Sequence, residues 1–224
     1  MKKLFIIANW KANKTEDEMQ IWLSEIKNLL GQNPDYGTGN KEIVVCPPFT
    51  HLAMIKKYVK TNNLPIRMGS QDISVFGRGA YTGEIPAALQ HDFADFCIVG
   101  HSERRKNFNE TDEIVAKKVE MAKAGGFLPI VCVQGEETPV PKDSVIVAYE
   151  PISAIGTGNP DTPESADKVA SIIKEKSGAQ YVIYGGSVTG ENVNTFTQMP
   201  SIDGVLVGGA SLDAEKFMQI IKNS

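Results

Sequence analysis

Little in this chain points to a membrane, a nucleic acid or a metal. Its apolar runs are short, far below the ~20 residues that a spanning helix needs. Met1-Lys2-Lys3 is followed only by the brief run Leu4–Ala8 before Asn9, too little for the core of a leader, so a cytoplasmic location is expected. Cysteine is scarce: Cys46, Cys97 and Cys132 are odd in number, lack CxxC spacing and sit in or at the end of apolar runs. They read as reduced core residues of a cytosolic protein. No ligand cluster at metal spacing is present, and Gly156-Thr157-Gly158 lacks the spacing and preceding strand of a dinucleotide fingerprint, so neither metal nor cofactor is expected. Charge is balanced, 23 basic against 27 acidic residues for a net −4. That argues against nucleic-acid or membrane partners, while a small anion needs only a locally positive pocket.

What is present is an ordinary globular composition, 42% hydrophobic and 22% charged, in 224 residues. Leu4–Ala8 reads as a strand buried on both faces, and from Thr15 an amphipathic helix carries Met19, Trp22, Leu23, Ile26, Leu29 and Leu30 to a stop at Gly31. The pattern returns along the chain. Strands are expected at 43–46, 66–71, 96–99, 128–133, 145–149, 181–184 and 204–207, with helices near 50–60, from Pro86, from Thr111, over 163–176 and over 213–221. His51 on the second helix reads as a surface or capping residue. Eight apolar strands mostly alternating with helices, with no linker-like shift in composition, predict one domain, 1–224, closed as a parallel (β/α)8 barrel. In that architecture the C-terminal ends of the strands form the active face. Asn9, Lys11, His101, Glu150, Ser187 and Gly208 all fall there.

Each of those residues has a bland reading by itself. A lone histidine is more often structural, a lone lysine solvated, Ser187 a helix cap and Gly208-Gly209 a turn. Their convergence on one mouth carries more. Glu150 ends a buried strand and is followed by Pro151 and, further on, Gly156 and Gly158, the make-up of a stiff lid with flexible attachments. Strands seven and eight of such barrels commonly end in a phosphate site built from backbone N–H groups. A bound phosphate, a lysine and imidazole to polarise a carbonyl, and a carboxylate beside them suit proton abstraction α to that carbonyl.

Six blocks then carry a resemblance: Asn9-Trp10-Lys11, Gly79–Glu84, Gly100–Arg105, Tyr149–Pro151 with Ala154–Gly158, Tyr184–Val188 and Leu206–Leu212. In this order and over nearly the whole chain they resemble the triosephosphate isomerase family. That family is itself the familiar worked case of a glutamate base paired with a neutral histidine. The resemblance implies interconversion of dihydroxyacetone phosphate and glyceraldehyde 3-phosphate without a cofactor. Glu150 would move the proton, His101 would serve the two oxygens, Lys11 and Asn9 would stabilise developing charge, and Glu103 would hold Lys11. Gly156, Ser187, Gly208 and Gly209 would bind phosphate. Pro151, Thr157 and Gly158 would belong to the lid, and Tyr184 with Ser187 would receive it when closed. The segment Gln71 to Glu84 would dock into a second copy, with Thr82 supporting the partner's site, so a homodimer is implied. Another phosphosugar isomerase on the same barrel, or a barrel kept as a binding scaffold, are the competing readings.

The chain departs from that pattern in three places. Ser153 stands where most bacterial and eukaryotic members carry a lid tryptophan, which predicts a less tightly latched lid. Gln134 is inserted into what resembles a Cys-Val-Gly-Glu turn. Strands five and six are joined by only eleven residues, 134 to 144, including Pro139 and Pro141. A parallel crossover normally takes a dozen or more residues and a helix. Eleven extended residues still reach about 36–40 Å, so a shortened barrel can close with this helix missing. The expectation is a seven-helix barrel in which the outer faces of strands five and six rely on neighbouring helices, a rearranged helix or another subunit, and any apolar patch left there would favour association.

Overall fold

The structure is a computed structural model and describes residues 2–33, 39–151 and 160–224. Eight parallel strands close in sequence order: β1 (Leu4–Asn9), β2 (Lys41–Cys46), β3 (Arg67–Ser70), β4 (Phe96–Val99), β5 (Leu128–Val133), β6 (Ile146–Tyr149), β7 (Tyr181–Tyr184) and β8 (Gly204–Val207). The seam is β8 against β1, with Phe5 opposite Gly204. Gly204 has φ of +142°, and a side chain there would run into the Phe5 backbone, so only glycine permits the closing strand to approach.

Strand alternation sorts the core into two layers. Phe5, Ile7, Val44, Cys46, Phe96, Ile98, Ile130, Cys132, Ile146, Ala148, Ile183 and Leu206 fill the barrel interior. Their neighbours Ile6, Ala8, Val45, Cys97, Val99, Val131, Val133, Val147, Val182, Val205 and Val207 face outward onto the helices. Apart from β3, with its Arg67, Gly69 and Ser70, the strands are thus apolar on both faces over their buried stretch, which is why they read as hydrophobic runs.

Around the barrel lie α1 (Glu16–Gln32), α2 (Phe49–Thr61), α3 (Ala87–Gln90), α4 (Ser102–Phe108), α5 (Asp112–Ala124), α6 (Pro163–Ser177), α7 (Val193–Thr197) and α8 (Ala214–Asn223). Thr15 starts α1 with a capping box to Glu18, and buries Met19, Trp22, Leu23, Ile26 and Leu30 against the barrel. Thr162 caps α6 ahead of Pro163, and Gly178 ends it in the left-handed conformation. His51 is not a surface or capping residue. It is buried, and its Nε2 donates to the Lys14 carbonyl at 2.9 Å, pinning the loop after β1 to α2.

Between β5 and β6, residues 134–145 form turns and no helix. The total among described residues is nonetheless eight helices, one more than expected, because the β4–β5 connection carries both α4 and α5. Of the alternatives for covering strands five and six, the structure takes the neighbouring helices together with the crossover itself. Val131, Val133 and Val147 are fully buried, and Val140 from the crossover packs on the outer core layer. The crossover is tied down on both sides. Lys123 of α5 donates to the Lys142 carbonyl at 3.0 Å, and Lys176 of α6 pairs with Glu137 at 2.7 Å. A run of turns held by two neighbouring helices stands where a crossover helix would.

Candidate active site

The alternation that fills the barrel also delivers the site. One step beyond the interior residues Phe5 and Ile7 on the same face comes Asn9; beyond Ile146 and Ala148 comes Glu150; beyond Ile183 comes Gly185; beyond Leu206 comes Gly208. These polar and glycine positions crown the apolar filling at the C-terminal mouth. They border a cavity of about 300 Å³ lined by Asn9, Lys11, His101 and Glu150 on one side and by Gly185–Thr189, Asn192 and Gly208–Ala210 on the other.

Lys11 sits in the left-handed region at φ +54°, unusual for a residue with a side chain. Its surroundings hold it there. Asn9 Oδ1 accepts from the Lys11 N–H at 3.1 Å, Gln71 Nε2 donates to the carbonyls of Lys11 and Cys46 at 2.9 Å each, and Asn13 Nδ2 donates to the Trp10 carbonyl at 2.8 Å. Lys11 Nζ pairs with Glu103 Oε1 at 2.5 Å. A Cβ on Gly208 would lie 3.4 Å from Lys11 Cε, so the lysine stem passes over the turn that follows β8.

His101 belongs to the outward-facing series Cys97, Val99, and alternation alone would point it at the helices. Gly100, at φ +71°, turns the backbone so that His101 caps α4 instead. Its Nδ1 accepts from the Glu103 N–H at 3.2 Å, which places the ring hydrogen on Nε2. Nε2 donates to Glu150 Oε1 at 3.0 Å, and the other carboxylate oxygen accepts from the Ser102 N–H at 2.9 Å. Glu150, 1% exposed, therefore rests against the N-terminal turn of α4, where the helix dipole favours negative charge. Cys132 is its neighbour from β5: burial first, then the Glu150 carboxylate, push that thiol well above its ordinary range.

Tyr184 stacks on Phe196 at 4.1 Å, and its hydroxyl oxygen accepts from the Asp161 N–H at 2.9 Å. Burial pushes the phenol up to about 12, and it does the same for Tyr149. Pro151 is buried behind Glu150. Gly156, Thr157, Gly158 and Ser153 lie outside the described residues. Ser187 is not a helix cap, since α7 begins later, with Asn192 at its N-cap; Asn192 Nδ2 donates to the Ser187 carbonyl at 3.1 Å. Thr82 lies away from this cavity in the exposed stretch 76–84, beside the stacked pair Phe76 and Tyr81 at 4.1 Å.

Sequence reasoning missed Ser102 as a donor to Glu150 and Gln71 as the clamp on Lys11. Ser102 could have been found from its place one residue after His101 at a helix start. Gln71 carries no such signal, because its partners are brought to it only by the side-by-side pairing of β1, β2 and β3. Among the described residues no group of three His, Cys, Asp or Glu side chains is placed to hold a metal ion, and no helix is long and apolar enough to cross a membrane.

A closed eightfold barrel with a carboxylate, an imidazole and an ammonium group facing glycine-rich turns across one cavity defines the class: a barrel enzyme equipped for acid–base chemistry on a small molecule. The family model for triosephosphate isomerase matches residues 4–224, and the chain belongs to that family. Relatives named triosephosphate isomerase include those of Endomicrobium trichonymphae, 38% identical with all of both chains covered, and of Mycoplasmopsis pulmonis, 38% identical over 99% of this chain and 98% of the relative. That of Thermus thermophilus is 34% identical over 99% of each.

Proposed function

We propose that this chain is a triose-phosphate isomerase, interconverting dihydroxyacetone phosphate and glyceraldehyde 3-phosphate in glycolysis and gluconeogenesis. The observation that carries the reading is the pairing of Glu150 with an imidazole whose proton is already on the nitrogen facing the cavity. Glu150 takes a proton from the carbon beside the carbonyl, the electron pair moves into a carbon–carbon double bond, and the carbonyl oxygen accepts hydrogen bonds from His101 Nε2–H and Lys11. Glu150 then returns the proton to the adjacent carbon while His101 relays between the two oxygens. Asn9 and Lys11 stabilise the enediolate, and Glu103 keeps Lys11 aimed. No cofactor is needed.

In this arrangement the His101–Glu150 bond must open before either group can serve the substrate, so the carboxylate turns from α4 toward the cavity. Backbone N–H groups at Ser187, Gly208, Gly209 and Gly156 bind the phosphate. The lid, with Pro151, Thr157 and Gly158, closes toward Tyr184 and Ser187 and excludes water. The exposed segment Gln71 to Glu84, with Phe76, Tyr81 and Thr82, seats in a second copy to make a homodimer of cytoplasmic location, with neither nucleic acid nor membrane as partner. The exposure of that stacked aromatic pair supports the dimer.

The test is coupled-assay turnover of glyceraldehyde 3-phosphate by wild type and Glu150→Asp, with sedimentation on the same samples. Withdrawing the carboxylate by one methylene should cost at least about a hundredfold in kcat at unchanged mass, given the sensitivity of proton transfer to ångström displacements. A folded wild-type protein with no turnover would sink the assignment, and a monomer would sink the dimer.

A further inference from the structure

Three polar atoms on the segments that follow β4 and β5 are buried without a hydrogen-bond partner: Ser102 Oγ, Arg105 Nη2 and Gln134 Nε2. Buried polar groups normally find partners, so each such atom asks for an explanation. Ser102 and Arg105 belong to the block that follows β4. Gln134 does not: it is the residue directly past β5, and no other piece of the site accounts for it.

Its position is well determined by the backbone. β5 and β6 pair through Val133 opposite Tyr149, and the Glu150 N–H donates to the Val133 carbonyl at 2.8 Å. The ladder thus runs one step past the paired strands and sets Gln134 beside Glu150. By alternation Gln134 follows Ile130 and Cys132, the interior-facing residues of β5, just as Glu150 follows Ile146 and Ala148. The β7 neighbour of Glu150 on its other side is Gly185, where an added Cβ would come within 2.9 Å of Glu150 Cγ. That side is packed and offers no side-chain donor. The β5 side offers an amide.

We propose that Gln134 is a positioning residue for Glu150, its side-chain amide taking up the carboxylate as that group turns from His101 toward the substrate. The proposal rests on the proton-transfer reading above. In the present arrangement both carboxylate oxygens are engaged, by Ser102 N–H and His101 Nε2–H, the Cys132 thiol also lies in hydrogen-bonding contact with the carboxylate, and Gln134 Nε2 is idle. Once His101 is released to the substrate, one carboxylate oxygen loses its donor inside a buried site, and the idle amide replaces it. A donor there keeps the base ionised and aimed. The charged and titratable groups around Glu150 are His101, Glu103 and Arg105 at the start of α4, Cys132 on β5 and Lys11 beyond β1; Gln134 adds a neutral donor to this set.

Gln134→Met keeps the shape and removes the donor, and Gln134→Glu keeps the shape and adds a like charge. Both are measured for kcat, KM, the acidic limb of kcat against pH, and melting temperature. Loss of a hydrogen bond to a charged group should lower kcat by roughly tenfold for Met, with KM within about twofold. The acidic limb should move to higher pH in both, further for Glu, because each change disfavours the ionised base. Unchanged kcat and an unmoved limb in a folded variant, or effects confined to KM or melting temperature, would reduce Gln134 to a turn residue. If Met alone misfolds, the limb of the Glu variant decides. A wild type with no isomerase turnover would overturn the reading beneath the proposal, whereas an active wild type beside unaffected variants overturns the proposal alone.

Discussion

Gly100 decides where His101 points. Its φ of +71° is open to glycine at little cost, and a Cβ there would meet Val115 Cγ2 at 2.8 Å. Gly100→Ala should therefore lower stability by about 1–2 kcal/mol from the backbone alone. It should also depress kcat by at least about tenfold through a displaced imidazole. Urea unfolding and turnover on one preparation check both, and a stable, fully active variant would contradict this account. At this scale much of the site was legible: Asn9, Lys11, His101, Glu150, Ser187 and Gly208 were picked as strand-end residues and all border one cavity. The supports were not. Gln71 acts through carbonyls that the pairing of β1, β2 and β3 brings within reach, and the left-handed backbone of Lys11 is invisible in the letters K and A.

The crossover from β5 to β6 shows how an element can be dispensed with. Its cover comes from Val140 packed on the outer layer and from anchors to α5 and α6. Val140→Asp should cost about 1–3 kcal/mol by placing a carboxylate against Val-rich strands. Urea denaturation measures it, and a change below about 0.5 kcal/mol would mean that other residues supply the cover. The lack of a helix here was readable from length and two prolines, but the compensation was not, because it depends on lysines from distant helices. α4 and α7 escaped for a different reason. α4 buries none of its residues, so no apolar period announces it, and α7 has only five residues.

Over the whole molecule, burial of acidic hydrogens makes a prediction about pH. Tyr149 and Tyr184 are raised from 10.0 to about 12 by burial, and the three buried thiols are raised above their ordinary 9.0. A group that holds its proton more tightly when folded stabilises the fold below its unfolded pKa and loses that contribution as pH climbs. Urea midpoints should therefore fall from about pH 9 to about pH 12, beginning with the thiols and continuing with the phenols. A flat profile would contradict the burial of these five side chains. The closed barrel itself was legible from the repeated alternation of apolar runs and amphipathic stretches, since a parallel sheet covered on both faces leaves that imprint. The two-layer sorting of its core was not, because runs apolar at every position do not say which residue looks in.

That sorting has a bearing on how such a chain can change length over time. Because successive residues of a strand face opposite ways, one residue gained or lost inside a strand would exchange lining for wall over everything downstream to the mouth, and would turn Asn9 or Glu150 away from the cavity. Tolerated gains and losses are thereby herded to the strand ends. The helix-free crossover of this chain lies there, starting at Gln134 directly after the last paired position of β5. The strands thus act as a fixed reading frame, and the margin of the barrel is where length can change without turning the site away.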